Sequence, residues 1–124
     1  MGLVHAEIQL RNPRNGQEMD VTAMADSGSL LLCIPRHVAI QLQLEELEKR
    51  EITLADGSSQ LVPYMGPVEV HFQNRRCYTG ALVLGDEPLL GAVPMEDMDV
   101  LIHPALRKLI VNPNSPNIAV APVK

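Results

Sequence analysis

The feature that most constrains this chain is a hydrophobic pattern that repeats every two residues in short segments. From Leu3 to Leu10, apolar side chains alternate with polar ones, as in a strand with one buried face. Asn15-Gly16 follows, a dipeptide typical of tight hairpins, and the alternation returns from Gln17 to Ala25. Because a two-residue period gathers apolar groups on one face of a strand but not of a helix, the chain is predicted to be mainly β.

The rest of the chain continues in short strand-like segments separated by turn residues. A helix is predicted to begin at Pro35 and to continue to Glu48, and a second, short one covers Pro94 to Met98. This pattern predicts a mainly β fold, either a closed barrel or a sandwich. The further predicted strands are Leu30 to Ile34, Ile52 to Leu54, Leu61 to Met65, Val68 to Phe72, Cys77 to Leu84, Val100 to Ile102 and Leu109 to Val111.

Length and composition narrow the possible functions. The 124 residues suit a single domain, 1–124, and no repeat or linker divides them. With one Phe, two Tyr and no Trp, the core must be aliphatic, and stacking platforms for single-stranded nucleic acid are excluded. The net charge of −5 opposes binding to phosphate backbones. Since the sequence has neither a membrane-length apolar run nor a signal peptide, we expect a cytoplasmic protein without membrane or nucleic-acid partners.

Most local signatures of catalysis and cofactor binding are missing. The sequence contains no G-x-S-x-G, no G-x-G-x-x-G and no P-loop. Its four histidines are more than 30 residues apart, so we expect no metal and no cofactor. Cys33 and Cys77 are predicted to pack as small apolar residues, although a thiol–imidazole pair between Cys33 and His37 is a minor alternative.

The main candidate site is Asp26-Ser27-Gly28-Ser29, which lies between two apolar segments. Met24-Ala25 precedes it and Leu30-Leu31-Leu32 follows it. A carboxylate in such surroundings is costly to desolvate unless it is hydrogen-bonded or functional. Gly28 permits close approach of the backbone, and the Ser27 hydroxyl can bond to neighbouring backbone groups. Taken alone, the same tripeptide is also compatible with an ordinary turn.

This segment resembles the catalytic loop of retropepsin-like (retroviral-type) aspartic proteases, in which two hydrophobic residues precede Asp-Thr/Ser-Gly-Ala/Ser. A second apolar-apolar-Gly motif follows later in that family, and Leu89-Leu90-Gly91 matches it. Small bacterial single-domain members also carry Leu-Ala-Asp-Gly in the flap and Leu-Val-Leu-Gly-Asp before the second motif. In this chain, Leu54 to Gly57 match the first of these segments and Leu82 to Asp86 match the second. The resemblance is strongest over 17–111 and leaves 112–124 as a C-terminal tail.

The resemblance implies a small closed β-barrel of the retropepsin type, a homodimer, and aspartic-type endopeptidase activity on polypeptides without a cofactor. Two carboxylates share one proton in this chemistry. Because the chain has a single Asp-Ser-Gly, Asp26 of two copies would form the pair. The supporting residues of the catalytic loop would be Ser27, Gly28 and Ser29, the flap would include Ala55, Asp56 and Gly57, and the second psi motif would be Leu89, Leu90 and Gly91.

Two departures from the retroviral pattern bear on the dimer and the flap. Leu30-Leu31 stands where those enzymes have acidic residues, and Ala92 stands where they have Arg. Without that ion pair, the dimer needs other contacts, and the tail from Ile118 to Val123 is a candidate. The flap has a single glycine, Gly57, near its tip.

Candidate pocket residues are Leu30, Leu31, Val93 and Pro94.

Three functions remain compatible with the sequence. The first is the aspartic endopeptidase, and the second is a catalytically weak or inactive module of the same fold that binds peptides or regulates a partner. The third is a β-barrel interaction domain in which Asp26-Ser27-Gly28 is only a turn. The net charge of −5 mildly favours a basic or neutral substrate.

Overall fold

The computed structural model describes residues 3–124, and the chain is mainly β, as predicted. Within these residues, no helix has the length and apolar character needed to span a membrane. The helices are α1 (Arg36–Gln41) and α2 (Ala92–Met98). The strands are β1 (Val4–Arg11), β2 (Glu18–Ala25), β3 (Cys33–Ile34), β4 (Glu45–Thr53), β5 (Ser59–Phe72), β6 (Arg75–Val83), β7 (Leu89–Leu90), β8 (Val100–His103) and β9 (Lys108–Val111).

Seven strands form one sheet in the order β1-β2-β7-β3-β6-β5-β4, while β8 and β9 form a separate hairpin. β1 pairs with β2 and also with β5, where Gln9 lies opposite His71 and Arg11 lies opposite Glu69. This second pairing links the two sides of the sheet through β1. β4 pairs with β5 alone among the described strands and therefore projects as the outer arm of a long hairpin.

The core is aliphatic, as the composition requires. In β1 the even-numbered side chains from Val4 to Leu10 are buried, so the two-residue alternation corresponds directly to the inner face. Phe72 is the one aromatic residue in the core cluster of the described chain. The large side chains that are fully buried are Leu10, Leu32, Ile34, Leu42, Leu90, Met98, Val38, Val68, Val70 and Pro94.

The predicted helix from Pro35 to Glu48 is wrong in its second half. α1 ends at Gln41, and Gln43 adopts a left-handed backbone with φ 55°, which turns the chain away from the helix axis. The charged segment that follows is β4, although its Glu and Lys residues favour helices. Pairing with β5 along the full length of β4 overrides that local preference.

Other predicted strands also differ from the observed ones in length; the predicted strand Ile52 to Leu54, for example, begins within β4, which ends at Thr53. Of the predicted strand Leu30 to Ile34, only Cys33–Ile34 is a strand, because the preceding residues instead follow the Asp26 loop. The predicted strands Leu61 to Met65 and Val68 to Phe72 are parts of one strand, β5, whose register with β6 shifts between Met65 and Val68.

The C-terminal tail, 112–124, is tied to the end of α2 by Asp99. This residue ends α2 in the left-handed region with φ 56°. Its carboxylate accepts hydrogen bonds from the Asn112 amide at 3.0 Å, the Ser115 hydroxyl and the Val120 backbone N–H at 3.0 Å. The buried Arg75 guanidinium donates to the Ser115 carbonyl and lies 3.9 Å from the Asp99 carboxylate. These hydrogen bonds lower the pKa of Asp99 to about 2, and the bond from the Ser115 hydroxyl has the largest effect.

Candidate active site

Asp26 follows β2 directly, at the place where β7 passes between β2 and β3. Met24 lies opposite Leu89 in parallel register, and Cys33 lies opposite Leu89 in antiparallel register. The Asp26 N–H donates to the Leu90 carbonyl at 3.0 Å. The second apolar-apolar-Gly motif therefore crosses the Asp26 loop.

Gly91 permits the closest contact between the two motifs. A Cβ atom on Gly91 would lie 2.4 Å from the Leu31 carbonyl oxygen and 2.7 Å from the Leu30 carbonyl carbon. Two hydrogen bonds follow immediately, from the Ala92 N–H to the Ser29 carbonyl at 2.7 Å and from the Val93 N–H to Leu30 at 2.9 Å. The backbone around Asp26 is thus braced on both sides by β7 and the start of α2.

The Asp26 carboxylate is half-buried and only lightly bonded. One oxygen accepts the Gly28 N–H at 2.8 Å, and the other lies 3.4 Å from the Ser29 hydroxyl. An ionised carboxylate offers about four acceptor sites, so Asp26 retains unused capacity. A Cβ on Gly28 would lie 3.1 Å from the first oxygen, which explains why a small residue suits that position. Ser27 and Gly28 are exposed.

The predicted flap is the hairpin of β4 and β5. Asp56 stabilises its tip by accepting the Ser58 N–H at 2.8 Å and the Ser58 hydroxyl, which lower the pKa of the Asp56 carboxyl. Gly57 supplies the turn with φ 87°, a conformation that strains other residues. Ala55, Asp56 and Gly57 all lie in the turn between β4 and β5.

Lower in the same hairpin, Tyr64 anchors the flap to β6. Its hydroxyl accepts the Gly80 N–H at 3.2 Å, and its ring occupies the space that a Cβ on Gly80 would need. The Arg50 guanidinium lies over the same ring, 4.3 Å from its centroid, and also bonds Glu48. The flap base is therefore packed, while the upper part of the hairpin is exposed.

A cleft of about 700 Å³ lies between the Asp26 loop, the flap and the loop that follows β6. Of the predicted pocket residues, Leu30 and Leu31 line it, whereas Val93 and Pro94 do not, because Val93 projects outward and Pro94 is buried in the core. The cleft is lined by Gly28, Ser29, Leu30, Leu31, Cys33, Arg50, Glu51, Ile52, Thr53, Leu54, Ala55, Leu82, Leu84, Gly85, Asp86, Glu87 and Leu89.

The sequence did not indicate four charged residues of this cleft: Arg50 and Glu51 on the flap, and Asp86 and Glu87 on the loop between β6 and β7. Arg50 and Glu51 carry no local signal, because their place on the cleft wall depends on β4 being a strand. Asp86 belongs to the Leu-Val-Leu-Gly-Asp segment, which could have indicated its position.

Cys33 lies on the cleft wall, and burial raises the pKa of its thiol above the ordinary value. His37 is exposed on α1, and the described residues show no hydrogen bond between the two side chains. Across residues 3–124, no group of three or more His, Cys, Asp or Glu side chains is arranged to hold a metal ion.

The comparisons with known proteins support the fold. No family profile matches the chain, and no curated protein matches it. The solution structure of simian foamy virus protease superimposes with a TM-score of 0.53 at 17% identity, covering 73% of this chain and 90% of the viral one. A protein of unknown function from Legionella pneumophila gives a TM-score of 0.49 at 13% identity, covering 87% of this chain and 98% of that one. The first likeness shows a retropepsin-like fold.

Proposed function

We propose that this chain is an aspartic-type endopeptidase that works as a homodimer of retropepsin-type barrels. The observation that carries the proposal is the position of Asp26. Its carboxylate has spare acceptor capacity, its backbone is bonded to Leu90, and its loop borders a cleft beneath a hairpin flap. The likeness of the fold to a retroviral-type protease adds support.

In this mechanism, Asp26 of each copy contributes one carboxyl group to a pair that shares a proton. The ionised carboxylate takes a proton from water as the water attacks the peptide carbonyl, and the protonated carboxyl donates to the carbonyl oxygen. The carboxyl that took the proton from water then passes it to the amide nitrogen, the carbon–nitrogen bond breaks, and a hydroxyl of the tetrahedral intermediate returns a proton to the other carboxylate. Ser27, Gly28 and Ser29 hold the loop, and the exposed position of Ser27 and Gly28 leaves them accessible to the second copy and to substrate.

Exposed apolar side chains near the loop favour a second copy as the partner. Leu30 is 66% exposed and Val93 is 44% exposed, although a hydrogen bond joins their backbones beside Asp26. The tail also presents Ile118 and Val123, which is 90% exposed. Burying such groups in a dimer interface would lower the free energy of association. We place the tail at the edge of this interface.

The test is cleavage of an unfolded protein between about pH 3 and pH 7, with and without pepstatin, by wild type and Asp26→Asn. We expect the substitution to lower kcat/KM by roughly 10²- to 10⁴-fold, because it removes the general acid and base. Asp97→Asn is the control, since Asp97 is an exposed carboxylate on α2 outside the cleft. Equal activity of wild type and Asp26→Asn would refute the proposal.

Subunit mixing tests whether the pair spans two copies. An excess of Asp26→Asn added to wild type should lower the activity, because most wild-type chains then pair with an inactive copy. An equal excess of Asp97→Asn should instead raise the total activity in proportion to the chains added, because every mixed dimer keeps both Asp26 carboxyl groups. A strict monomer with full activity would contradict the dimer. An intact dimer that binds peptides but cleaves none would instead identify the peptide-binding module.

A further inference from the structure

We propose that the cleft selects polypeptides that present a Lys or Arg side chain to Asp86 and Glu87, next to aliphatic side chains that fill the apolar wall. This inference rests on the proposed function, because it names the substrate class of the same cleft. It adds a charge preference that the Asp26 motif does not contain.

The apolar part of the cleft comes from the Asp26 loop, the flap, the end of β6 and β7. Aliphatic side chains from all four line the same space, and Leu30 is the most exposed of them. Such a wall favours aliphatic side chains of an extended peptide, whose backbone can pair with the flap strands. The aliphatic lining residues are Leu30, Leu31, Ile52, Leu54, Leu82, Leu84 and Leu89.

The loop between β6 and β7 adds two adjacent, exposed carboxylates to the cleft lining. Asp86 and Glu87 follow Gly85, whose φ of 79° sets the turn, and they precede Pro88. The Pro88 carbonyl accepts the Met24 N–H at 3.0 Å, so the loop is fixed relative to the strand that leads to Asp26. Within residues 3–124, neither carboxylate is engaged in an ion pair.

The flap does not neutralise the negative charge of Asp86 and Glu87. Arg50, the cation of the cleft lining, bonds Glu48 and stacks on Tyr64. Glu51 also belongs to the cleft lining and is without an ion pair in the described chain. Negative charge therefore exceeds positive charge around the cleft, and the net charge of −5 acts in the same direction at longer range. A basic side chain would be attracted, and an acidic one repelled.

The experiment uses synthetic octapeptides with an aliphatic centre in which Lys, Arg, Gln or Glu occupies each position in turn. Cleavage by wild type and equilibrium binding to Asp26→Asn are measured for the whole set. At one or two positions, we expect Lys and Arg peptides to be preferred over Gln by about two- to fivefold, with Glu disfavoured. The preference should weaken as salt is added.

Two variants identify the source of the preference. Asp86→Asn with Glu87→Gln should abolish it, and Asp86→Lys with Glu87→Lys should favour Glu peptides instead. Glu96→Gln with Asp97→Asn makes the same change in net charge on α2, outside the cleft, and should retain the preference.

Equal binding of Lys and Gln peptides would overturn this inference, as would a preference that survives in the Asp86 and Glu87 variants or no binding of any peptide. Cleavage without a charge preference would overturn the inference and leave the proposed endopeptidase intact. Selective binding without cleavage would support the inference and refute the proposed endopeptidase. The two failures can therefore be distinguished.

Discussion

Asp26 and Asp99 both stand at the end of a regular element, Asp26 after β2 and Asp99 after α2, yet their carboxylates are bonded very differently. Asp99 accepts three hydrogen bonds from the tail and lies near the Arg75 guanidinium, and its pKa falls to about 2. Asp26 accepts one short bond from Gly28 and lies 3.4 Å from the Ser29 hydroxyl. The acceptor sites of the Asp99 carboxylate are thus largely filled by its own chain, whereas those of Asp26 are filled only in part.

The difference separates a structural carboxylate from a candidate functional one. Asp99 uses its acceptor capacity to fasten the tail, so it has little left for a ligand. At Asp26, the surrounding backbone does the fastening, through Leu90 and the start of α2, and the carboxylate keeps its capacity. This division predicts that backbone changes will disturb Asp26, and that charge changes will disturb Asp99.

The largest expected effect follows from Gly91→Ala. The backbone of Gly91 is extended, with φ −87°, so alanine causes no conformational strain, but its Cβ would lie 2.4 Å from the Leu31 carbonyl oxygen. Since backbone on both sides must move, we expect the free energy of unfolding to fall by about 3 kcal/mol. Chemical denaturation followed by far-UV circular dichroism measures it.

Gly57→Ala is the matched control, because it has the opposite combination of features. Its φ of 87° strains alanine, but nothing lies within 4 Å of the added Cβ. We expect a loss of about 1 kcal/mol from backbone strain alone. A Gly91 variant no less stable than the Gly57 variant would show that β7 does not brace the Asp26 loop.

The next effect concerns Asp99→Asn, which keeps a residue type that tolerates the left-handed backbone and removes the charge. The Val120 N–H should lose protection against hydrogen exchange several-fold, because a neutral amide oxygen is a weaker acceptor than a carboxylate. Exchange detected by NMR checks this, with Asp97→Asn as the control. Unchanged protection of the Val120 amide would mean that the carboxylate does not fasten the tail.

The smallest expected effect is a weakening of the contacts between Asp99 and the tail at acidic pH. The folded pKa of Asp99, about 2, lies below its ordinary value of 3.8. A depressed carboxyl pKa contributes stability that is complete above the unfolded pKa and is lost as the pH falls through the folded one. The tail contacts should therefore be complete above about pH 4 and weaken as the pH approaches about 2.

Carbon-13 NMR of the Asp99 carboxyl group measures this titration directly. We expect a midpoint near 2, together with a shift of the Val120 amide signal over the same pH range. In Asp99→Asn, the amide should no longer respond in this range. A midpoint at the ordinary value would remove the electrostatic difference on which the role of Asp99 rests.

The fold was predictable where the sequence signal is local. The alternation in β1 and β2 identifies strands because one face of each is buried, and Asp26-Ser27-Gly28 stands out because apolar segments flank it. Leu89 and Leu90 of the second motif pair in parallel with Met24 and Ala25. Most of β4 was not predicted as a strand, because its residues are mostly exposed and their local preference is helical.

The sequence by itself determined a mainly β chain with an aliphatic core and a single candidate carboxylate, since these depend on periodicity, composition and neighbouring residues. Only the tertiary structure decided that Asp99 is engaged by residues far along the chain and that Asp86 and Glu87 face a cleft shared with Arg50. Contacts between distant segments depend on strand pairing and loop position. No local pattern encodes either, because both emerge when the whole sheet forms.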